Sequence, residues 1–586
     1  MLSVSPTYIA EMGTQTKARK TYGRVEFKQV DLNAAEDATV TATSTESISS
    51  PDYTVDDNWV GLSNYATFET DRWVLDGSFA LLPTSSPYGE LGWWSSELSS
   101  TGGTFGTSQL LTFTFTEDHN SIGFTVIFDI VNNEYAVDFT LELLDSSDTQ
   151  LDLFTITGNT LSTYRVETPV SGYRKAKLTI TKWSKEDRRA RVSELLFGLI
   201  EVYENEELIK LDLTEEIDPT GIQSPQNEFK FSIDNSDYKY DIINPAGIYS
   251  YLETKMRITA YIGIYAGSVI EYGKLGTFYL RSWDTPTKIE ASFKARDKFD
   301  ILQNTYKKGL YQTRSLYDLA IDVLTEEGLT SEDYDIDSAL SSISVTSYLP
   351  IAKTRELLHM IAQAGQAICY MSRDNLVTIK QLPTTDSGLD ITFDNAYNPP
   401  QVTLDNTLKQ LDVNVYGYEA EVDTSTIFKG AITLDGTQDV WVTYKDPATG
   451  GSASVDVGTI NSATYYTNAA LLNITHTGTV TITITGYKLD KYSYPISISN
   501  EETGDEISIE NQLVTDNAQA LLVANWILTE KNKRKKLKTD WRQNPAIETG
   551  DIIDIETQFL TYNGVRVTKQ LIEYGGALKG YTEVRG

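Results

Sequence analysis

Thr313-Arg314-Ser315-Leu316-Tyr317-Asp318-Leu319-Ala320-Ile321-Asp322-Val323-Leu324 and Thr354-Arg355-Glu356-Leu357-Leu358-His359-Met360-Ile361-Ala362-Gln363-Ala364-Gly365 decide the reading of this chain. Each opens on a threonine able to cap the free amides of a first helical turn, and apolar residues then recur at helical spacing. Leu316, Leu319, Ala320, Val323 and Leu324 match Leu357, Met360, Ile361, Ala364 and Gly365 position for position. Gly328 and Gly365 supply the left-handed conformation that helix ends favour. Ile368–Met371 and Leu376–Ile379 flank Ser372-Arg373-Asp374-Asn375, a hairpin pattern. The spacing predicts two amphipathic helices packed on a hairpin, a module that needs no chemistry of its own.

Outward from this module the chain reads as strand. Its 586 residues predict roughly three to five domains. Tyrosine is abundant, at 35 residues, and Thr-x-Thr and Ile-x-Ile alternations recur, so the fold class is mainly β with a small α/β module. The net charge of −33 argues against stable nucleic-acid binding, which needs a basic face. Cys369 is the sole cysteine and excludes an intrachain disulfide. Met1–Thr16 lacks a charged start and an apolar run, and no stretch has the length of a membrane span. The chain is expected to fold in a cytoplasm.

Taken in order, Tyr22–Val30 alternates as a half-buried strand, and Ala34–Asp56 is a Ser/Thr-rich linker. Trp59–Phe197 is aromatic-rich, with short strands such as Leu111–Phe115, Phe124–Phe128 and Ala176–Thr181, which predicts an inserted jelly-roll sandwich over residues 56–197. Residues 1–55 and 198–300 together make a first, discontinuous β domain, and 301–385 the helix–helix–hairpin module. Residues 386–422 and 495–586 make a last β domain with a helix over 516–531, interrupted by a small β unit at 423–494. That helix carries Leu522, Trp526 and Ile527 on one side, with Asp516 and Gln519 as a capping box.

Catalytic motifs are absent: there is no His-Glu-x-x-His, Cys-x-x-Cys, Gly-x-Ser-x-Gly or phosphate-binding glycine loop. His119, His359 and His476 fall in three different predicted domains, against a triad or a histidine metal site. Asp234-Asn235-Ser236-Asp237 faintly resembles a calcium loop but lacks its glycine and distal glutamate, so no metal or cofactor is expected. Trp93-Trp94 among Gly and Ser are the candidate glycan-binding residues, since an exposed indole stacks on the apolar face of a pyranose. The plainer alternative places both indoles in the sandwich core. The basic run Lys531–Lys538 after a helix suits the helix dipole as a solvated end, with contact to nucleic acid or an acidic partner as the alternatives.

Three places resemble the phage tail-tip, or baseplate hub, proteins of Gram-positive phages and prophages. They are Gly276–Leu280 with Ala295–Asp300; Ser347–Ile379 with its Arg373-Asp374-Asn375 hairpin; and Trp541–Asp551, similar to the Pro-x-Ile-x-x-Gly-Asp turn that closes the family's last barrel. The insertion separately resembles carbohydrate-binding-type jelly rolls, in Phe68–Gly77 and Glu194–Gly198. The resemblance implies two hub-type β-barrels flanking an α/β portion, and a structural, non-enzymatic virion protein of the tail tip, made in the host cytoplasm. It implies a homo-oligomer, a trimeric ring joined to the distal tail or tail tube protein, the tape measure protein and tail spike or fibre proteins, with host cell-wall polysaccharide as a possible ligand of the insertion in host attachment. Many relatives add a C-terminal peptidase or lysozyme-like extension, whereas the last strands here end at Gly586, against cell-wall hydrolysis. In such a ring the Lys531–Lys538 run is expected at a subunit contact or on the outer face, away from a DNA-conducting bore. The rival reading is a cell-wall glycan-binding or glycan-cleaving surface protein.

Overall fold

The structure, a computed structural model, describes residues 4–13, 19–55, 59–67, 69–79, 90–204, 206–245, 247–287 and 289–586. Phe68 and the proposed insertion start at 56–58 lie outside them. The chain is mainly β, with several sheets and a small α/β module.

One thirteen-stranded sheet runs through two β domains. In the first, Thr21–Val30 lies between Gly198–Glu204 and Arg257–Ala266, and the order continues through Val269–Thr287, Glu290–Arg296, Glu228–Asp234 and Leu208–Glu216. Alternation puts Val25, Phe27, Phe229, Phe231, Ile258, Ile262 and Phe293 on one buried face. Leu208–Glu216 then pairs with Thr561–Tyr574, a strand of the last domain. Ile572, Tyr574 and Leu578 belong to the first domain's core, while Val565, Val567 and Val584 on the same two strands belong to the last. The C-terminal hairpin thus serves both domains.

The chain leaves the first sheet after Val30 and returns at Gly198, which are partners on adjacent strands, and Asp31 N–H donates to the Phe197 carbonyl at 2.9 Å. The described residues between them build a sandwich of five-, three- and two-stranded sheets around Trp93, Phe113, Phe128, Phe139, Leu178 and Trp183. The Ser/Thr-rich "linker" is part of it. Thr39–Ala42 pairs with Thr104–Ser121, and Val40 enters the core, because a short Thr-Val-Thr run is good strand material once an edge is offered.

In the α/β module the helices are Leu316–Glu326 and Thr354–Ala364. Neither starting threonine caps its helix. Thr313 sits in strand Gln312–Ser315, and Ser315 is the cap, its Oγ accepting the Asp318 N–H. Thr354 is already helical and donates to Glu327 at 2.6 Å, tying the second helix's start to the first one's end. Gly328 is left-handed (φ 85°), but Gly365 is not, and Gln366 takes that conformation (φ 57°). The acidic loop between the helices contributes Tyr334–Ile336, parallel to Val377–Lys380, making the hairpin three-stranded.

Leu408–Ala420 joins this module rather than the last domain. It pairs with Ala469–Ser499 and Asp505–Ile509 and packs Leu411, Val413 and Val415 against the helices. Helix Asn517–Asn532 covers the same sheet with Ala520, Val523, Ala524 and Ile527, whereas Leu522 is 55% exposed. Asp516 caps it, but Gln519 accepts from Thr515 N–H, so the box is only half formed. Ala469–Ser499 is 31 residues long and crosses the boundary drawn at 494. Its first part is flanked by Ser425–Thr443 on one side and by Ala448–Val455 and Thr459–Tyr465 on the other. Near the middle of this sheet Gly436 (φ 86°) lies opposite His476 and Gly478 (φ 118°) opposite Leu434, and Leu434, Val440, Leu472, Ile474, Val480 and Ile482 form its core. Among the described residues no helix is long and apolar enough to cross a membrane.

Candidate functional site

Two buried polar centres stand out, and the first joins the two β domains. Arg373, in the hairpin turn, donates Nε and Nη2 to the two oxygens of Glu215 at 2.7 and 2.6 Å. Its remaining donors reach the carbonyls of Pro545 and Ile547. Gln570 bridges Glu215 and the same Ile547 carbonyl at 2.6 and 2.9 Å. Burial opposes the guanidinium charge, and the Glu215 carboxylate outweighs it, so Arg373 stays firmly protonated. A planar fork meeting a carboxylate in two parallel bonds is the strong geometry for such a pair.

Three distant stretches meet at this point. The 373–375 turn grips Trp541–Asp551 through Arg373 and meets Gly276–Leu280 through Asn375, whose amide donates to the Tyr279 hydroxyl at 3.2 Å. Arg19 adds a second tie, donating to the carbonyls of Met12, Arg542 and Gln543. Asp297 caps the turn at Lys298–Asp300 and accepts the Asn227 N–H at 2.7 Å. Burial pushes its carboxyl up to about 7 against the pull of those N–H donors.

The second centre lies at one end of the inserted sandwich. Glu134, with a fully buried side chain, accepts from Arg72 at 3.1 Å, Arg188 at 3.1 Å and Lys185 at 3.2 Å. Arg72 and Arg191 share Asp129 at 2.7 and 2.9 Å, and Arg191 also holds Glu69 at 2.5 Å. Burial alone would raise the Glu134 carboxyl, but Arg72, Arg191, Arg188 and Lys185 together hold it below its ordinary value. The network pins Glu69 and Arg72 to the sandwich, and Val74 and Leu75 just beyond them are 63% and 86% exposed. The sequence hint was Arg188-Arg189-Ala190-Arg191, a basic run in an acidic chain, whose partners are far away in sequence.

Trp93 and Trp94 are 0% and 5% exposed. Their indole N–H groups donate to the carbonyls of Ser44 and Leu91 at 2.9 and 3.0 Å, and Arg191 covers the Trp94 ring at 4.7 Å. Neither offers a free face for a sugar, so the expectation of stacking on these two rings is corrected: both fill the interior. Asp234 and Asp237 accept backbone N–H groups of their own turn, and the Asn235 side chain accepts from Tyr240. Among the described residues no three His, Cys, Asp or Glu side chains converge as a metal set. The basic run is not a solvated helix end alone. Lys535–Trp541 is a strand, with Lys536 near Asp405 at 2.9 Å and Lys538 near Glu583 at 3.6 Å.

No protein-family profile matches the sequence, and no curated protein is similar to it. Solved structures similar to this chain include the 43 kDa tail protein of prophage MuSo2 from Shewanella oneidensis, at 12% identity and a TM-score of 0.39, covering 66% of this chain and 95% of that one. Another is the tail protein from Neisseria meningitidis MC58, at 9% identity and a TM-score of 0.37, covering 65% and 93%. A third is the family 32 carbohydrate-binding module of C. perfringens NanJ, solved with galactose, at 14% identity and a TM-score of 0.19, covering 29% of this chain and 97% of that one.

Proposed function

We propose that this chain is a structural protein of a phage tail, a baseplate hub that joins the tail tube to the tail tip as a ring of three copies. The observation that carries the reading is the Arg373–Glu215 centre. The three stretches that resemble hub proteins lie far apart in sequence, yet each sends a residue to this one neighbourhood, where the α/β module is tied to both β domains. A scaffold that transmits load between tube and tip needs such rigid ties between its domains, and a catalyst does not. In this reading the tube protein, the tape measure protein and spike or fibre proteins are its neighbours. The test is mass spectrometry and immunogold labelling of purified particles. Label at the tail tip is expected, and absence of the chain from intact particles refutes the reading.

The inserted sandwich leaves and rejoins its host sheet at one rung, Val30 opposite Gly198, which suits a module that contacts host-wall glycan. Since Trp93 and Trp94 are buried, the loop end carrying Val74 and Leu75 is the surface to probe. Titration of the full chain with host wall polysaccharide should show binding that Leu75→Asp weakens. Unchanged binding in that variant, or none in the parent, removes this role.

A further inference from the structure

The last β domain has the strand order Asp386–Ile391, Ile552–Glu556, Thr561–Tyr574, Leu578–Arg585, Lys535–Trp541, Gln401–Leu404, with these two outermost strands as its lips. Among the described residues each outermost strand has a partner on one side only. The two lips differ sharply in charge. On one, Asp386, Asp390, Asp394, Asp554 and Glu556 accept backbone N–H groups at most, and none is in an ion pair among the described residues. Asp390 and Asp554 are direct partners across the ladder, where like charges repel. On the other lip, Arg534, Lys535, Lys536 and Lys538 stand behind Gln401–Leu404. Lys535 lies over the Tyr562 ring without a carboxylate, and the contacts of Lys536 and Lys538 are half-exposed pairs of little strength. All four residues of Gln401–Leu404 are exposed, Val402 by 49% and Leu404 by 65%, with Tyr397 just before them at 56%.

We propose that these lips are the two halves of one contact between successive copies of this chain. The acidic strand of one copy adds to the basic, apolar-studded edge of the next. An open edge with alternating apolar side chains is a template for an added strand, and a long charge there is the usual guard against the wrong one. Here the guard is selective. Acidic lip against acidic lip repels, as does basic against basic, so a two-fold dimer is disfavoured and only head-to-tail addition neutralises both. Such a heterologous contact closes as a ring when its rotation allows. The inference rests on the ring-forming reading for closure alone, since the contact follows from the lips themselves.

The test uses the full chain in sedimentation velocity and light scattering, with Lys535→Glu/Lys536→Glu/Lys538→Glu as one variant and Asp386→Lys/Asp390→Lys as the other. The parent is expected to self-associate, about tenfold more weakly when salt is raised enough to screen exposed charges. Each variant alone should be monomeric where the parent associates. An equal mixture of the two should associate again, because each copy then meets only the other kind, and a closed ring of three is then excluded. Restored association also shows that both variants are folded. A parent that stays monomeric at its highest soluble concentration, variants that associate like the parent, or a mixture that stays monomeric overturns the contact. Incorporation into particles is read separately. Variants that enter tails as well as the parent refute the contact and leave the tail reading standing, and a parent absent from tails refutes that reading while the solution measurement still decides the contact.

Discussion

Replacing Arg373 with alanine withdraws both donors that Glu215 receives from it, leaving a carboxylate only 3% exposed with the Gln570 amide at 2.6 Å. It also strips the guanidinium from the carbonyls of Pro545 and Ile547. Removing one partner of a buried pair costs about 3–5 kcal/mol, chiefly because the remaining charge is stranded. The loss should be local to the seam between the domains, since the three cores themselves are untouched. Hydrogen exchange is the suitable assay, because a chain of several domains has no single unfolding free energy. Amides of Leu208–Glu216 and of its partner Thr561–Tyr574 should lose protection by about a hundredfold or more, while the inserted sandwich is unchanged. Arg373→Met combined with Glu215→Gln removes both charges and should recover at least about 1 kcal/mol relative to Arg373→Ala. Exchange in Arg373→Ala within about threefold of the parent, or a double variant worse than the single one, refutes the claim that this pair locks the domains.

Glu134 is held below its ordinary value in the folded sandwich, so its contribution is present above the unfolded carboxylate range and is lost as pH falls through the folded value. Acid should therefore release the sandwich first, read by the fluorescence of the buried Trp183, and Glu134→Gln should abolish that pH dependence while lowering stability at neutral pH. Asp297 runs the other way: its folded value near 7 exceeds the unfolded one, so stability at the Asn227 turn should fall as pH rises from about 4 to about 7, and Asp297→Asn should flatten that slope in hydrogen exchange. Trp93→Ala should cost the sandwich about 3–5 kcal/mol, detected as a lower melting temperature and early proteolysis within residues 31–198. Gly478→Val, forcing a β-branched side chain into φ 118°, should destabilise the sheet formed by Ser425–Thr443 and Ala469–Ser499 by roughly 1 kcal/mol or more and expose it to protease.

What was legible in the sequence follows from local periodicity. Leu316, Leu319, Ala320, Val323 and Leu324 are all buried on one side of a helix, because a 3.6-residue repeat sets a face before any partner is known. The alternating strand at Tyr22–Val30 is equally plain, since a two-residue repeat does the same for a sheet. The capping residues were missed by one or two positions, for a cap depends on where strand pairing ends: Gln312–Ser315 is held by Ser344–Ser347 until Ser315 turns into the helix. Val40 was hidden in a polar stretch because its strand exists only when Phe113 lies opposite. Only tertiary structure could decide that Trp93 and Trp94 face inward, that Arg373 meets Glu215, and that Glu134 gathers Arg72, Lys185 and Arg188. A charge carries no repeat and reveals no direction along the chain, and its partner is chosen by which distant strand the packed cores bring within about 3 Å of it.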